Sequence, residues 1–212
     1  MEIPQFVVQS TEKVFIKGPS GSGKTTLLGL LGGVLDAQGG EVRVLGQALA
    51  DLRGGARDAF RVDHIGFIFQ LFNLLPYLSV VDNVLLPCRF SARRKNRALQ
   101  RSATLMDEAR RLLADLGLAG AVLSAPVTAL SVGQQQRVAV ARALIGSPEI
   151  VIADEPTSAL DADTREAFIR LLFQECREAG SALIFVSHDG ALAPYFDRAL
   201  AMADIALTIP TA

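Results

Sequence analysis

Short apolar runs alternate with longer segments whose apolar residues recur at helical spacing. An apolar run at residues 14–16 leads into a glycine-rich loop, and residues 24–31 then predict a helix that ends at a pair of glycines. Two further apolar runs, at residues 149–153 and 181–186, flank a helical pattern over residues 163–179. Continuous apolar strands separated by helices are typical of a parallel sheet covered on both faces, so we expect an α/β fold.

The middle of the chain has a different pattern. Residues 71–130 are helix-like, with turn signals at several prolines and glycines, and residues 94–116 predict one amphipathic helix. A further helix is predicted from about residue 132 to residue 145, and short strands at residues 41–45 and 65–69. The middle segment therefore looks like a helical insertion into the α/β part.

We accordingly expect a single domain over residues 1–212. Its core lobe would comprise about residues 1–70 and 146–212, and a helical subdomain would comprise about residues 71–145.

Charge and cysteine content narrow the class of protein. The 212 residues include 21 Lys and Arg against 22 Asp and Glu, a net charge of −1, so the general electrostatic case for nucleic-acid binding is missing. Cys88 and Cys176 are isolated from each other and from both histidines, which favours reduced thiols over a zinc site. The beginning of the chain does not resemble a signal peptide, and no apolar run approaches the roughly 20 residues that span a bilayer. The composition predicts a soluble protein.

The glycine-rich loop carries the first candidate chemistry. Residues 18–25 read GPSGSGKT and match the phosphate-loop pattern G-x-x-x-x-G-K-[ST], between a predicted strand and a predicted helix. Such a loop turns backbone N–H groups toward a phosphate, and the helix N-terminus adds positive potential. Lys24 would reach the β- and γ-phosphates, and the Thr25 hydroxyl would bind Mg²⁺. The predicted nucleotide-binding residues are Gly18, Pro19, Ser20, Gly21, Ser22, Gly23, Lys24, Thr25 and Thr26.

Polar residues follow the two later apolar runs. Asp154 and Glu155 come after one run and His188 after the other, where a parallel sheet binds its ligands. Asp154 would hold Mg²⁺, Glu155 would orient the attacking water, and His188 would lie beside the γ-phosphate. The alternatives are two solvated carboxylates and a structural histidine, and the phosphate loop upstream favours the catalytic interpretation. His64 is interpreted as structural or surface.

A helix start near residue 131 has two interpretations. Ser131 and Gln134 form an S-x-x-Q capping box, which accounts for the segment as an ordinary helix N-terminus. The same segment could present a hydroxyl, a bare glycine backbone and a helix dipole to an anion. The residues alone do not decide between the two.

The order of these motifs resembles the nucleotide-binding subunit of ABC transporters. The resemblance covers nearly the whole chain, through residues 18–26, Gln70, 130–134, 154–155 and 158–161, and ends at His188. It implies a P-loop NTPase core with a mostly parallel sheet, a short antiparallel β part and a helical subdomain that carries the signature loop. It also implies an ATPase that uses ATP and Mg²⁺.

The resemblance further implies a head-to-tail dimer that forms when ATP binds. The signature residues Ser131, Val132, Gly133 and Gln134 would face the ATP held by the second subunit. Ser158 and Asp161 would belong to a loop that links the two sites. Gln70 would contact Mg²⁺ or the attacking water. Together with the motifs above, the resemblance implies the catalytic residues Glu155, His188, Gln70 and Lys24. The implied metal ligands are Thr25, Gln70 and Asp154.

Residues 69–76 and 130–134 resemble one subgroup, the ATPases of lipoprotein-releasing, macrolide-export and cell-division systems. This similarity implies a bacterial ATPase at the cytoplasmic face of the cell membrane, paired with a permease and with a second ATPase subunit, as a homodimer in the ATP state. The implied function is a transport motor. The alternative is a switch of the cell-division type that signals across the membrane without moving a substrate. DNA-repair relatives fit less well, because only 131 − 70 = 61 positions separate Gln70 from Ser131.

Three features depart from the family pattern or qualify it. Val132 stands where the signature usually has glycine, and we expect an altered rate rather than loss of function. Only seventeen residues precede Gly18, and neither Phe6 nor Phe15 is placed to stack on adenine. The chain is therefore interpreted as starting late, and we expect it to bind ATP more weakly than a complete homologue. The basic run at residues 93–97 is interpreted as a solvated helix start, with docking beside a permease or acidic lipids as the alternative.

Overall fold

A five-stranded parallel sheet forms the centre of the protein. The computed structural model describes residues 2–158, 160 and 162–206. The strand order is β4-β5-β6-β1-β7, and every neighbouring pair in this sheet is parallel. The strands are β1 (Lys13–Lys17), β4 (Ile65–Ile68), β5 (Ile150–Asp154), β6 (Ala182–Ser187) and β7 (Arg198–Ala201). The predicted α/β class and the parallel sheet are confirmed.

Helices cover both faces of this sheet. They are α1 (Lys24–Leu31), α2 (Gly55–His64), α3 (Val80–Phe90), α4 (Ala92–Arg101), α5 (Leu105–Asp115), α6 (Val132–Leu144), α7 (Ala162–Ala179) and α8 (Met202–Ile205). Because side chains alternate across a strand, Phe15 joins the core under α3–α7 while Val14 and Ile16 join the core beside α1 and α8. All three are fully buried, which explains why β1 is apolar without alternation.

The short antiparallel β part is a hairpin of two-residue strands. β2 (Arg43–Val44) pairs with β3 (Gln47–Ala48), so the strand predicted at residues 41–45 is shorter than expected. The turn residues Leu45 and Gly46 have φ values of 52° and 80°. Positive φ at both turn positions matches the twist of a two-residue hairpin.

The single helix predicted over residues 94–116 is wrong. Two helices, α4 and α5, occupy this segment, because residues 102–104 supply stronger local hydrogen bonds than a continued helix. The Thr104 hydroxyl accepts from the Asp107 backbone N–H at 3.1 Å and so caps α5. The Ser102 hydroxyl donates to Glu108 at 2.7 Å and ties the break to the new helix. Helical spacing alone could not show the break, and two residues that fit the spacing, Leu99 and Met106, are 41% and 40% exposed.

The basic run at residues 93–97 is only partly solvated, so the interpretation as a solvated helix start is wrong for Arg94. The Arg94 side chain is 2% exposed, and it donates to the backbone carbonyls of Ile145, at 2.7 Å, and Ala143. These carbonyls lie at the C-terminal end of α6, where a helix leaves acceptors without helical partners. Burial lowers the pKa of Arg94 to about 10. A buried arginine therefore joins α4 to the end of α6.

Two elements of the fold are not apparent from the sequence patterns. Helix α2 has no buried residue, and β7 is short and only partly buried, so neither has a strong periodic signal. In the part of the chain that the structure describes, no helix is both long enough and apolar enough to span a membrane.

Glu175 of α7 is a buried carboxyl group beside the helical insertion. It is 3% exposed, and its Oε1 atom has no hydrogen-bond partner among the described residues. Burial first, and then the carboxylates of Glu178 and Asp115, raise its pKa to about 7, against the opposing effect of Arg111 and Arg101. The folded protein therefore holds this proton at pH values where the unfolded chain has lost it.

Glu175→Gln is expected to remove part of the pH dependence of folding stability. In the wild-type protein the contribution of Glu175 is most favourable below its ordinary pKa of 4.5, decreases as the pH rises toward 7, and is constant above that value. The variant should gain about 3 kcal/mol over wild type at pH 8, on the scale of 1.36 kcal/mol per pKa unit, and almost nothing at pH 4.5. Urea unfolding at the two pH values measures this difference. Glu166→Gln, on an exposed part of the same helix, is the control. Equal gains in stability at both pH values for Glu175→Gln would contradict the raised pKa of Glu175.

Candidate functional site

The loop between β1 and α1 is shaped by its glycines. Gly21 and Gly23 have φ values of 79° and 95°, a region that other residues avoid. Gly18 is also restricted, because a Cβ atom there would come within 2.5 Å of the Ser22 hydroxyl oxygen. Gly23 caps α1 without a side-chain hydrogen bond, so the N–H groups of the first turn are not occupied by a capping side chain. The loop has the backbone that a phosphate-binding turn requires.

Lys24 is folded into this loop. It is 9% exposed, and its Nζ atom donates to the carbonyl oxygens of Gly18 at 2.6 Å and Pro19 at 2.9 Å. The same Nζ atom lies 3.8 Å from Oε1 of Glu155. The ammonium group thus lies between the loop and the carboxylates that follow β5. Of the other predicted loop residues, Ser20, Thr25 and Thr26 are exposed and free to face a ligand.

Asp154 and Glu155 lie at the carboxyl end of β5, as predicted. Asp154 is the last residue of the strand, and the Glu155 backbone N–H extends the pairing by donating to the Val186 carbonyl at 2.9 Å. Burial, and then the neighbouring Glu155 carboxylate, raise the pKa of Asp154, while Lys24 lowers it. A nearby cation would relieve the repulsion between these two adjacent carboxylates.

His188 lies beside Glu155. Its Nδ1 atom is 2.8 Å from Glu155 Oε2, and the Ser187 hydroxyl is 3.3 Å from the same oxygen. Glu155 itself has a φ of 47°, an unusual conformation for glutamate, and its side chain is held by these two contacts. The pairing of β5 with β6 places Asp154 opposite Val186, so the two strand ends necessarily meet.

The other histidine lies at the opposite edge of the sheet. His64 precedes β4, and its Nδ1 atom is 3.0 Å from Oε2 of Glu149, which precedes β5. Arg93 and Arg97 of α4 also contact Glu149. Burial raises the pKa of Glu149, but hydrogen bonds from Arg93, His64 and Arg97 outweigh it and hold the value at about 2. His64 is therefore part of an ion-pair cluster at the amino ends of the strands.

Gln70 lies at the same edge as the carboxylates. Ile68 of β4 pairs with Ala153 of β5, so Gln70 follows its strand at the level where Asp154 and Glu155 follow theirs. Its side chain is exposed. The structure thus brings Gln70, Lys24, Asp154, Glu155 and His188 to one edge of the sheet.

The start of α6 has the geometry of the capping box. The Ser131 hydroxyl accepts from the Gln134 N–H at 3.3 Å, and Gln134 Oε1 accepts from the Ser131 N–H at 2.9 Å. Val132 is 49% exposed, and a Cβ atom added at Gly133 would meet nothing within 4 Å. The helix start is satisfied within the chain and also presents an open surface, so both interpretations remain compatible with it.

The loop after Glu155 is only partly described. Ser158 is exposed, and its N–H donates to the Glu155 carbonyl at 3.2 Å. Asp161 lies outside the described residues, so its predicted place in a loop between two sites stays a prediction.

The family model for the ABC transporter family matches residues 2–158. The chain belongs to the ABC transporter family. It is 42% identical over 196 residues to the uncharacterized ABC transporter ATP-binding protein YbbA of Escherichia coli K12, which covers 92% of this chain and 82% of that protein. It is 41% identical over 201 residues to the lipoprotein-releasing system ATP-binding protein LolD of Syntrophotalea carbinolica, with 95% and 85% covered.

Solved structures agree with this assignment. The fold is similar to that of the ATP-binding cassette MJ0796, solved as a dimer in a post-hydrolysis state bound to ADP and Pi, with a TM-score of 0.80 and 36% identity. The match covers 92% of this chain and 83% of that one. The chain is therefore an ATP-binding ATPase of the ABC transporter family, as the sequence motifs predicted.

One contact within the ABC fold was not apparent from the sequence. Gln136 of α6 is 1% exposed, and its Nε2 atom donates to the Pro156 carbonyl at 2.6 Å, one residue beyond Glu155. The only signal was a polar residue just before the buried run at residues 138–141. This contact joins α6 to the segment that follows Asp154 and Glu155.

His188→Ala is expected to lower kcat for ATP hydrolysis by about 100-fold and to change the KM for ATP little, since Glu155 loses its closest partner while the phosphate loop is untouched. Steady-state phosphate release measures both constants. His64→Ala is a matched control, because this chain has two histidines and His64 lies at the other edge of the sheet. A similar loss of kcat in both variants would contradict a catalytic role for His188.

Proposed function

We propose that this ATPase powers a separate membrane permease of an ABC transport system through the ATP-driven closure of a dimer of two copies of the chain. The observation that carries the proposal is the convergence of Lys24, Asp154, Glu155 and His188 on the phosphate loop at one edge of the sheet. A water molecule held by Glu155 and a γ-phosphate held by Lys24 would meet in this space. The chemistry is attack of that water on the γ-phosphate.

The loop also offers a polar atom to a ligand. Ser22 Oγ is buried and has no hydrogen-bond partner among the described residues. An unpaired buried hydroxyl is costly unless something completes its hydrogen bonds. A phosphate oxygen in the loop would accept from this hydroxyl, which supports ATP as the ligand.

The donor set fits Mg²⁺. Thr25 and Asp154 supply a hydroxyl and a carboxylate, and Gln70 supplies an amide oxygen at the same edge. Mg²⁺ in phosphate-transfer sites uses one or two carboxylates together with water and substrate phosphates, so a larger protein cluster is not needed. Bound there, the ion would neutralise charge on the phosphate oxygens. A cation would also offset the mutual repulsion of Asp154 and Glu155 that contributes to the raised pKa of Asp154.

The residues of the chain divide the remaining work. Glu155 accepts a hydrogen bond from the attacking water and orients it, and His188 holds Glu155 through Oε2. Lys24 moves its positive charge from the carbonyls of Gly18 and Pro19 to the β- and γ-phosphates, a shift that its three donors allow. The signature helix of the second copy adds a hydroxyl and N–H groups to the same phosphate.

Two features support the dimer. The signature segment is exposed at Ser131 and Val132. The related cassette MJ0796 was solved as a dimer in two structures. In a head-to-tail arrangement each signature segment would cover the phosphate loop of the other copy, with Ser158 and Asp161 between the two sites.

An exposed apolar surface supports the permease. Leu71, Tyr77 and Phe90 are 83%, 78% and 74% exposed, and a groove beside Phe90 is lined by Phe69 and Pro87. Exposed apolar side chains mark protein interaction sites when they form a contiguous patch, and the groove brings Phe69, Pro87 and Phe90 together in one surface. The relative LolD is named for a lipoprotein-releasing system, which supports a permease at the inner face of the cell membrane as the partner.

Glu155→Gln is expected to trap the closed dimer, because the site keeps its shape while the water loses its base. Size-exclusion chromatography with Mg²⁺-ATP should show the variant as a dimer, and without nucleotide as a monomer. Two double variants, each combined with Glu155→Gln, serve as controls. Adding Lys24→Ala should abolish both ATP binding and the change from monomer to dimer. Adding Ser131→Arg should abolish the change from monomer to dimer and leave ATP binding intact. A monomer that binds Mg²⁺-ATP would contradict closure of the isolated chain.

Val132→Gly is expected to change kcat by no more than about fivefold, which corresponds to roughly 1 kcal/mol. The reason is that Val132 points outward and the capping hydrogen bonds of Ser131 and Gln134 do not involve its side chain. Phosphate release at saturating ATP measures the change. Ser131→Ala, which removes the hydroxyl, should lower kcat much more, and the reverse order would contradict the assignment of these two positions.

A further inference from the structure

Gln70 is followed by a short loop that is held by one buried and one half-buried polar side chain. Residues 71–79 connect β4 to α3 without regular structure. The far half of this loop is fixed by Asn83 of α3, which is 0% exposed and bonds the N–H and the carbonyl of Leu75 at 2.7 and 3.1 Å. The near half, next to Gln70, is held by a different side chain.

Arg142 holds the near half of the loop. It lies in the last turn of α6, and its Nη1 atom donates to the Asn73 carbonyl at 2.6 Å while its Nη2 atom donates to the Phe72 carbonyl. Both carbonyls belong to residues in the left-handed region, Phe72 at φ 59° and Asn73 at φ 48°. Phenylalanine rarely adopts this conformation, so the surrounding contacts must stabilise it. The planar guanidinium matches two adjacent carbonyls in a way that a lysine would not.

The contact between Arg142 and the loop carries a free-energy cost, which would be unnecessary if the contact only supported the fold. Burial lowers the pKa of the Arg142 guanidinium, and no described carboxylate offsets the loss of solvent. A half-buried cation whose hydrogen-bond partners are two strained carbonyls is expensive unless the loop shape is required. The carbonyl of Phe72 is only two residues beyond Gln70, so the contact limits how far Gln70 can move to about 7 Å of chain.

We propose that Arg142 is a positioning residue that fastens the Gln70 loop to the signature helix. The proposal rests on the proposed ATPase function. Helix α6 begins at the signature residues and ends at Leu144, with Arg142 in its last turn, and a helix of thirteen residues is a stiff connection of about 20 Å. A displacement of the signature helix is therefore transmitted to residues 72–73 and from there to Gln70. Hydrolysis is expected to depend on this attachment, which holds the loop beside Gln70 together with the buried side chain of Phe72, 7% exposed.

Kinetics of Arg142→Gln test the attachment. We expect kcat for ATP hydrolysis to fall roughly 10- to 100-fold, as misplacement of a catalytic group by about 1 Å does, and the KM for ATP to stay within about twofold. Arg142→Lys keeps the charge without the fork and should recover part of kcat. Arg137→Gln is the matched control, because Arg137 lies on the same helix and donates to the backbone carbonyl of Leu116 at 3.2 Å, away from the loop. It should leave kcat unchanged.

A spin label reports the loop directly. Leu71→Cys places a thiol at an 83% exposed position next to Gln70, while Cys88 and Cys176 are buried and should not react. The room-temperature spectrum of the label should show greater mobility with Arg142→Gln, and no change with Arg137→Gln. Thermal unfolding of the same samples shows whether the folded state is retained at the assay temperature, and Arg142→Lys replaces Arg142→Gln if that variant does not fold.

The kinetic and spin-label results test the role of Arg142 and the proposed function separately. Unchanged kcat and an unchanged spectrum in Arg142→Gln would overturn the proposal, and so would equal losses in Arg137→Gln. If the wild-type protein hydrolyses no ATP, the proposed function fails, while the spin-label comparison still decides whether Arg142 holds the loop.

Discussion

The pairing of β1, β5 and β6 is the interaction on which the site depends. Lys17 of β1 lies opposite Ser187 of β6, and Asp154 of β5 lies opposite Val186, so three loops leave the sheet at one level. Because the strands are parallel, all three carboxyl ends point the same way. The phosphate loop, the two carboxylates and His188 are therefore neighbours as a consequence of register, although 154 − 25 = 129 positions separate Thr25 from Asp154 along the chain. The apolar strands that fix this register are buried on both faces.

Helix α6 connects other parts of the molecule to the carboxyl-end edge of the sheet. It begins at Ser131, contacts Pro156 beyond Glu155 through Gln136, and reaches the loop after Gln70 through Arg142. Arg94 of α4 binds the carbonyls at its end. One stiff element thus contacts both the segment that follows Glu155 and the loop that follows Gln70.

Local patterns predicted the site better than the fold around it. The phosphate loop, Asp154, Glu155 and the strands before them have strong local signals: glycines at positions with positive φ, and apolar runs that end in charge. Helix α2 and β7 have weak signals because neither buries much apolar surface. The break at residues 102–104 was missed because a hydroxyl that caps a helix, as Thr104 does, resembles an ordinary helix residue in a periodicity count. The interpretation of Arg94 as solvated is wrong because a charged run gives no indication of which side chain turns inward.

The sequence by itself determined the α/β class, the phosphate loop and the residues that meet it, since these depend on short-range backbone geometry and on where apolar strands end. Only the tertiary structure decided the roles of the long polar side chains. His188 contacts Glu155 and His64 contacts Glu149, and the sequence does not specify either distance. Arg142 and Gln136 contact carbonyls that lie 69 and 20 residues away in the chain. A backbone carbonyl is present at every position, so no residue pattern marks the one that a buried arginine or glutamine will bind.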